Sequence, residues 1–339
     1  MFKFLHPKPQ SEDDTRQIFA GFFGKVALSD ELLNYQLKSS EIYEFERRLF
    51  DCIKTLEKRK QQGIGSSLER LPLISFLFSG QNPNSASTGV MFASKDQNNN
   101  PYPFVIFNAI RQAEIQNQLA ILPYLQQEFL QKAGELASMD WSSQSIENLM
   151  LSIDSLPGQR FDFTKAALLQ AQIDLLSQTP IATFWAAMAD FQDSRSQAFY
   201  LSAFYALVNM IATKRIAKSV SAIKLPLPDT SNQLPYVVFL TQILAHCLHG
   251  KIEQSRFFWY RGNDHYQSSL IYFFRPLSVA GLMQVLDRTV NENAILDIKT
   301  TIDSLTDPTR QAVSIVHQTD SNLMEQVFRW TQLVCPEQA

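Results

Sequence analysis

The chain predicts an α/β protein in which an antiparallel sheet carries helices on both faces, with further helices in the middle and at the C-terminus. Short apolar runs that suit a pleated surface occur at both ends of the 339-residue sequence, bounded by Gly, Pro, Asn or Ser. The long stretch between them has helical spacing and offers no strand candidates. Near the C-terminal end, Phe257-Phe258-Trp259-Tyr260 puts apolar side chains on consecutive residues, so both faces of that strand need cover.

The first strand is the run Gln17-Ile18-Phe19-Ala20-Gly21-Phe22-Phe23-Gly24, leading into Lys25 and Val26. Ile18, Phe19, Phe22 and Phe23 pack on a sheet, while Gly21 and Gly24 allow close backbone approach or an unusual bend. Residues 40–60 then place Ile42, Phe45, Leu49, Phe50, Ile53 and Leu56 at spacings of three and four with Glu and Lys between, an amphipathic helix. Three β-type runs follow, 71–78, 88–93 and 102–107. The polar segments between them, 80–85 and 96–101, read as hairpin loops.

From Arg111 to about residue 218 the spacing is helical, broken near Leu156-Pro157-Gly158. A strand is expected over 220–227 and a helix over 234–248. Next comes a hairpin, in which 257–260 enters the polar turn Arg261-Gly262-Asn263-Asp264 and 270–274 leaves it. Helices are expected over 279–286 and 310–333. The chain divides into an α/β region over 1–140, a helical region over 141–218 and a strand-hairpin-helix region over 219–339 that completes the same sheet. Two small sheets separated near residue 157 are the alternative.

Composition narrows the function. A net charge of −3 and a pI near 6.0 provide no electrostatic footprint for nucleic acid. No apolar run approaches the roughly 20 residues that span a bilayer. The start Met1-Phe2-Lys3-Phe4-Leu5-His6-Pro7 is too short before its proline for a signal segment, so a cytoplasmic location is expected. Cys52, Cys247 and Cys335 are odd in number and widely spaced, which fits reduced thiols.

The motifs that carry chemistry are incomplete. Gly21-x-x-Gly24-Lys25 lacks the spacing of a phosphate loop, and Val26 stands where the magnesium-binding hydroxyl belongs. His246 and His249 share a helix face without a second ligand pair, so helix-end packing is the expectation and no metal is assigned. His265 lies in the hairpin turn and His317 on a polar helix. Gly63-Ile64-Gly65-Ser66-Ser67 follows a charged helix and reads as its terminating loop. No nucleophile elbow or dinucleotide fingerprint appears, and no catalytic residue or cofactor is assigned.

Taken together, several segments resemble the TagF (ImpM) family of type VI secretion accessory proteins. Gly21-Phe22-Phe23-Gly24-Lys25 is similar to the family's opening. Gly89-Val90-Met91 with Asp96, then Tyr102-Pro103-Phe104, resembles its middle, and Trp259-Tyr260-Arg261-Gly262 its distal strand. Pro276 to Asp287 is similar to its closing helix. The chain departs from the pattern at Ser29-Asp30-Glu31, at Asn98-Asn99-Asn100, and at Phe45 and Phe50, where the family carries tryptophans. The resemblance implies a longin- or profilin-like α/β/α sandwich. It also implies a non-enzymatic cytoplasmic regulator that represses apparatus assembly by binding a forkhead-associated (FHA) domain protein, alongside a threonine kinase and phosphatase pathway. An enzyme with a site built from distant residues, a hydrolase or a nucleotide-dependent protein, is the alternative. A longin-type adaptor is another. Phe22, Phe23, Trp259 and Tyr260 are expected in the core, given their apolar neighbours.

Overall fold

Alternating side chains explain how one sheet serves two cores. Along β5 (Phe104–Arg111), Phe104, Ile106 and Ile110 pack into one apolar cluster, while Val105, Phe107 and Ala109 pack into a second on the opposite face. β1 (Gln17–Gly24) does the same with Phe22 and Phe23, and β7 (Arg256–Tyr260) with Trp259 and Phe258. A computed structural model describes residues 17–61, 68–80, 82, 84–111, 115, 118–157, 164–249, 254–287, 289–290, 292–318 and 320–334. Within them the remaining strands are β2 (Leu33–Tyr35), β3 (Ile74–Ser79), β4 (Ser85–Phe92), β6 (Ala222–Pro226), β8 (Ser269–Phe273) and β9 (Ile295–Asp297).

These nine strands form a single sheet in the order β2-β1-β5-β4-β3-β7-β8-β6-β9. Every pairing is antiparallel except that of β6 with β9. β3 joins the two halves of the chain, pairing with β4 on one side and with β7 on the other, with Phe76 opposite Gly89 and Phe258.

One face is covered by α1 (Ser40–Gln61) and α9 (Val279–Leu286), which pack on each other. α1 buries Ile42, Phe45, Leu49, Cys52, Ile53 and Leu56, a stripe at helical spacing. Phe45 is its hub, with ring centroids 5.6, 5.3, 4.9 and 5.9 Å from those of Phe23, Phe76, Phe78 and Phe258. The opposite face carries the helical middle: α2 (Leu122–Leu125), α3 (Gln127–Ala137), α4 (Ile146–Asp154), α5 (Lys165–Ser177), α6 (Ile181–Ala186) and α7 (Ser194–Ala212). α8 (Leu234–Cys247), α10 (Ile298–Asp303), α11 (Arg310–Val316) and α12 (Leu323–Val334) complete that layer. The α/β class with helices on both sheet faces is therefore the observed architecture.

Several expectations are corrected. Phe50 does not join the buried stripe: it follows Leu49 by one residue, and the ~100° turn between helical neighbours brings it outward, 38% exposed, while Cys52 takes the core position. The helix expected over 310–333 is two helices. The segment between them is drawn onto the start of α6 by bonds from Ile181 N to Ser321 O (3.0 Å) and from Leu323 N to Thr179 O (2.8 Å). Asn322 Oδ1 then accepts from Glu325 N at 2.9 Å and starts α12. β2 and β9 were not anticipated; each has three residues and exists through its neighbour in the sheet. The expectations at Met1–Pro7, Gly63–Ser67, Gly158 and Cys335 lie outside the described residues.

Candidate functional site

The family-like positions of the N-terminal half converge on β5. Phe107 lies opposite Gly21 of β1 on one side and opposite Gly89 of β4 on the other. A Cβ on Gly21 would meet the Phe107 ring at 2.5 Å, and one on Gly89 would meet Ile106 O at 2.2 Å and the Phe76 ring at 2.7 Å. The aromatic rings thus occupy the space that the missing side chains leave. Phe22 and Phe23 are each 1% exposed and fill opposite faces.

At the end of β1, Gly24 adopts φ +128°, a conformation that favours glycine, and a Cβ there would strike Pro103 O at 2.4 Å. This bend delivers Lys25 to the β4–β5 loop, where its Nζ donates to Asp96 Oδ2 at 3.0 Å. Asp96 is not the exposed loop residue its polar neighbours suggest: it is 2% exposed and accepts from Asn98 N (2.9 Å), Asn100 N (2.9 Å) and Asn100 Nδ2 (3.1 Å). Burial pushes its carboxyl up, but the Asn100 amide, the Lys25 ammonium and the Asn100 side chain together outweigh that and hold it at about 2. Asn99 takes φ 62°, which its short polar side chain tolerates. The asparagine run is therefore the donor set that wraps Asp96.

The distal positions lie elsewhere. Trp259 and Tyr260 are each 4% exposed, on opposite faces of the sheet. Gly262 starts the loop beyond β7, its N donating to Ser268 Oγ at 2.8 Å and a Cβ there meeting Tyr266 O at 2.6 Å. This loop forms one wall of an open cavity of about 460 Å³. The other walls are the segment after α6, with Met188 and Asp190, and the β6–α8 connection, with Asp229. Ser268 Oγ donates to Asp229 Oδ1 (3.1 Å), which also accepts from Arg261 Nε (3.3 Å). Asp190 Oδ2 accepts from Lys299 Nζ (2.5 Å) and Gln267 Nε2 (3.0 Å), and these bonds hold its carboxyl below the usual range against a smaller opposing effect of burial. Asp190 and Asp229 are thus each paired with a cation of the same chain. Both the proton and a lone pair of the Ser268 hydroxyl are engaged. Sequence reading missed Asp190, Asp229 and Ser268, because three remote segments bring them together with no local spacing to mark them.

Gly21 lies within a paired strand, its main chain committed to the sheet, and Lys25 is engaged by Asp96. His246 and His249 are exposed at the end of α8. Among the described residues no group of three or more His, Cys, Asp or Glu is arranged to hold a metal ion. Cys52 and Cys247 are buried, and burial, with the Asp287 charge adding to it, raises the Cys52 thiol. No helix among the described residues is long and apolar enough to cross a membrane.

The fold and these positions define a class, an α/β protein with a mostly antiparallel, helix-covered sheet whose glycines, aromatic rings and lysine-aspartate pairs tie neighbouring segments together. Residues 21–156 match the family described as the TagF N-terminal domain, Type VI secretion system-associated, a match that supports assigning this stretch to the TagF family. The matched stretch contains Gly21 to Lys25, Gly89, Asp96 and Pro103; Trp259 and Gly262 lie beyond it. Among solved structures, the crystal structure of PA0076 from Pseudomonas aeruginosa PAO1 is similar at 13% identity and a TM-score of 0.44, over 79% of this chain and 94% of that one. No curated protein matches the chain.

Proposed function

We propose that this type VI secretion system-associated protein is a non-enzymatic regulator that represses apparatus assembly from the cytoplasm. It binds an FHA-domain protein of the apparatus, in company with a threonine kinase and phosphatase pathway. The observation that carries this reading is the TagF N-terminal match over residues 21–156, which coincides with the half of the sheet where Phe107, Gly21, Gly89, Lys25 and Asp96 meet. A regulatory interface of about 1,200 to 2,000 Å² suffices for such a contact. The test is recovery of the FHA-domain protein with the tagged chain from its host, joined to secretion assays in deletion and overexpression strains. Capture of the scaffold with secretion lowered by overexpression supports the reading; no type VI component captured and unchanged secretion in both strains would sink it.

The hairpin-tip cavity favours a second reading, an enzyme with a site assembled from distant segments. If that holds, Ser268→Ala abolishes the effect on secretion while scaffold capture persists. Under the regulatory reading, effect and capture rise and fall together.

A further inference from the structure

Arg275, just beyond β8, holds a segment remote in sequence. Its Nη1 donates to Ala217 O (2.7 Å), Lys218 O (2.8 Å) and Val220 O (2.5 Å), and its Nη2 reaches Ile216 O at 3.5 Å. One guanidinium thus gathers the carbonyls of the connection between α7 and β6, a task that suits a planar fork of donors and not a compact ammonium. Among the described residues, Ile216 O, Lys218 O and Val220 O accept from Arg275 alone.

Little else fastens this connection. Lys214, Arg215, Ala217, Lys218 and Ser219 are exposed, and Ile216 and Val220 are its buried anchors. A segment with so few buried apolar contacts belongs to the low end of local stability. Neither 194–228 nor 265–286, the stretches that meet here, contains an Asp or Glu. Among the described residues no carboxylate comes within ion-pairing distance of Lys214, Arg215, Lys218 or Arg275. Repulsion among these cations therefore opposes closure, and the carbonyl dipoles are what offset it. Ser221 closes the segment and joins three stretches: its O accepts from Phe274 N (3.1 Å) and Arg275 N (3.3 Å), and its N donates to Ala294 O (2.8 Å), immediately before β9.

We infer that residues 213–221 form a strap latched by Arg275, a locally opening element whose release loosens β9 from β6 while the rest of the sheet stays paired. When the guanidinium leaves, the carbonyls of Ile216, Lys218 and Val220 turn to water, and Ser221 no longer holds Ala294 in place. β9 follows because it is an edge strand that meets the sheet only through Ile295, Leu296 and Asp297 against β6. This device is independent of the regulatory reading and stands or falls without it.

Hydrogen exchange of the full chain, read by mass spectrometry, tests it. In Arg275→Ala, peptides covering 213–221 and 292–297 should exchange about tenfold faster or more, while those of β4 and β5 keep the wild-type rate. Arg275→Lys should resemble Arg275→Ala, because an ammonium does not span the same carbonyls. Methylguanidinium, added well below denaturing concentrations, should restore slow exchange to Arg275→Ala, and methylammonium should not. The unchanged rate of β4 and β5 separates a strap from a misfolded variant. Wild-type exchange over 213–221 in Arg275→Ala, acceleration there without any over 292–297, or acceleration that extends to β4 and β5 overturns the inference. So does full protection in Arg275→Lys, or rescue by both cations or by neither.

Discussion

Lys25 and Asp96, 71 residues apart in sequence, are joined by an ion pair of 3.0 Å that ties the end of β1 to the β4–β5 loop. The pair is cooperative with its surroundings: without Gly24 the lysine would not be delivered, and without Asn98 and Asn100 the carboxylate would be left short of donors.

The pair makes stability depend on pH. Asp96 has a carboxyl lowered from 3.8 to about 2 in the folded protein, so the unfolded chain binds the proton more readily. Its contribution is present above pH 3.8 and is lost as pH falls through about 2, and amounts to about 1–2 kcal/mol. Denaturant melts of wild type and Asp96→Asn should differ at pH 6 and converge near pH 2; an equal gap at both values would contradict the assignment.

Nucleotide binding is not expected at the Gly21–Lys25 run, since the main chain of Gly21 belongs to the sheet and the ammonium of Lys25 is engaged. Calorimetry with ATP or GTP and magnesium should give no heat of binding. Micromolar affinity that disappears in Lys25→Ala would restore the nucleotide-dependent reading.

Two phenylalanines of one helix should behave oppositely. Phe45→Ala empties the hub between Phe23, Phe76, Phe78 and Phe258 and should cost about 3–5 kcal/mol. Phe50→Ser changes an exposed ring and should stay within about 0.5 kcal/mol. Comparable losses in urea unfolding would show that the outward face of α1 is not free.

Gly89→Ala places a methyl 2.2 Å from Ile106 O and 2.7 Å from the Phe76 ring, and the carbonyl cannot retreat without breaking the β4–β5 ladder. A loss of about 1–3 kcal/mol is expected from overpacking. Thermal unfolding checks it, and an unchanged midpoint would mean that the strands shift freely.

Charge reversals intended to probe recognition must avoid Asp96, which is buried and bonded. Trp259→Ala is equally uninformative about partners, because a ring that is 4% exposed should cost about 3–5 kcal/mol on removal whatever its role. Each should lower stability in a melt before any effect on binding is read.

Periodicity made much of this protein legible. Residues 40–60 carry their helix in the spacing of Ile42, Phe45, Leu49, Ile53 and Leu56, and the two-sided strand 257–260 announced cover on both faces, because burial of apolar side chains follows repeats of 3.6 and 2 that local sequence records. The order of the family-like segments around Lys25, Gly89 and Trp259 was legible too. Tertiary structure decided the rest. β2 and β9 are too short to signal themselves and form only because a neighbouring strand offers unpaired main-chain groups. The break before α12 depends on bonds to α6, the burial of Asp96 on donors that a bend in β1 and its own loop bring to it, and the cavity on Asp190, Asp229 and Ser268 arriving from three segments. In each case the deciding partner lies far along the chain, where no local spacing can register it.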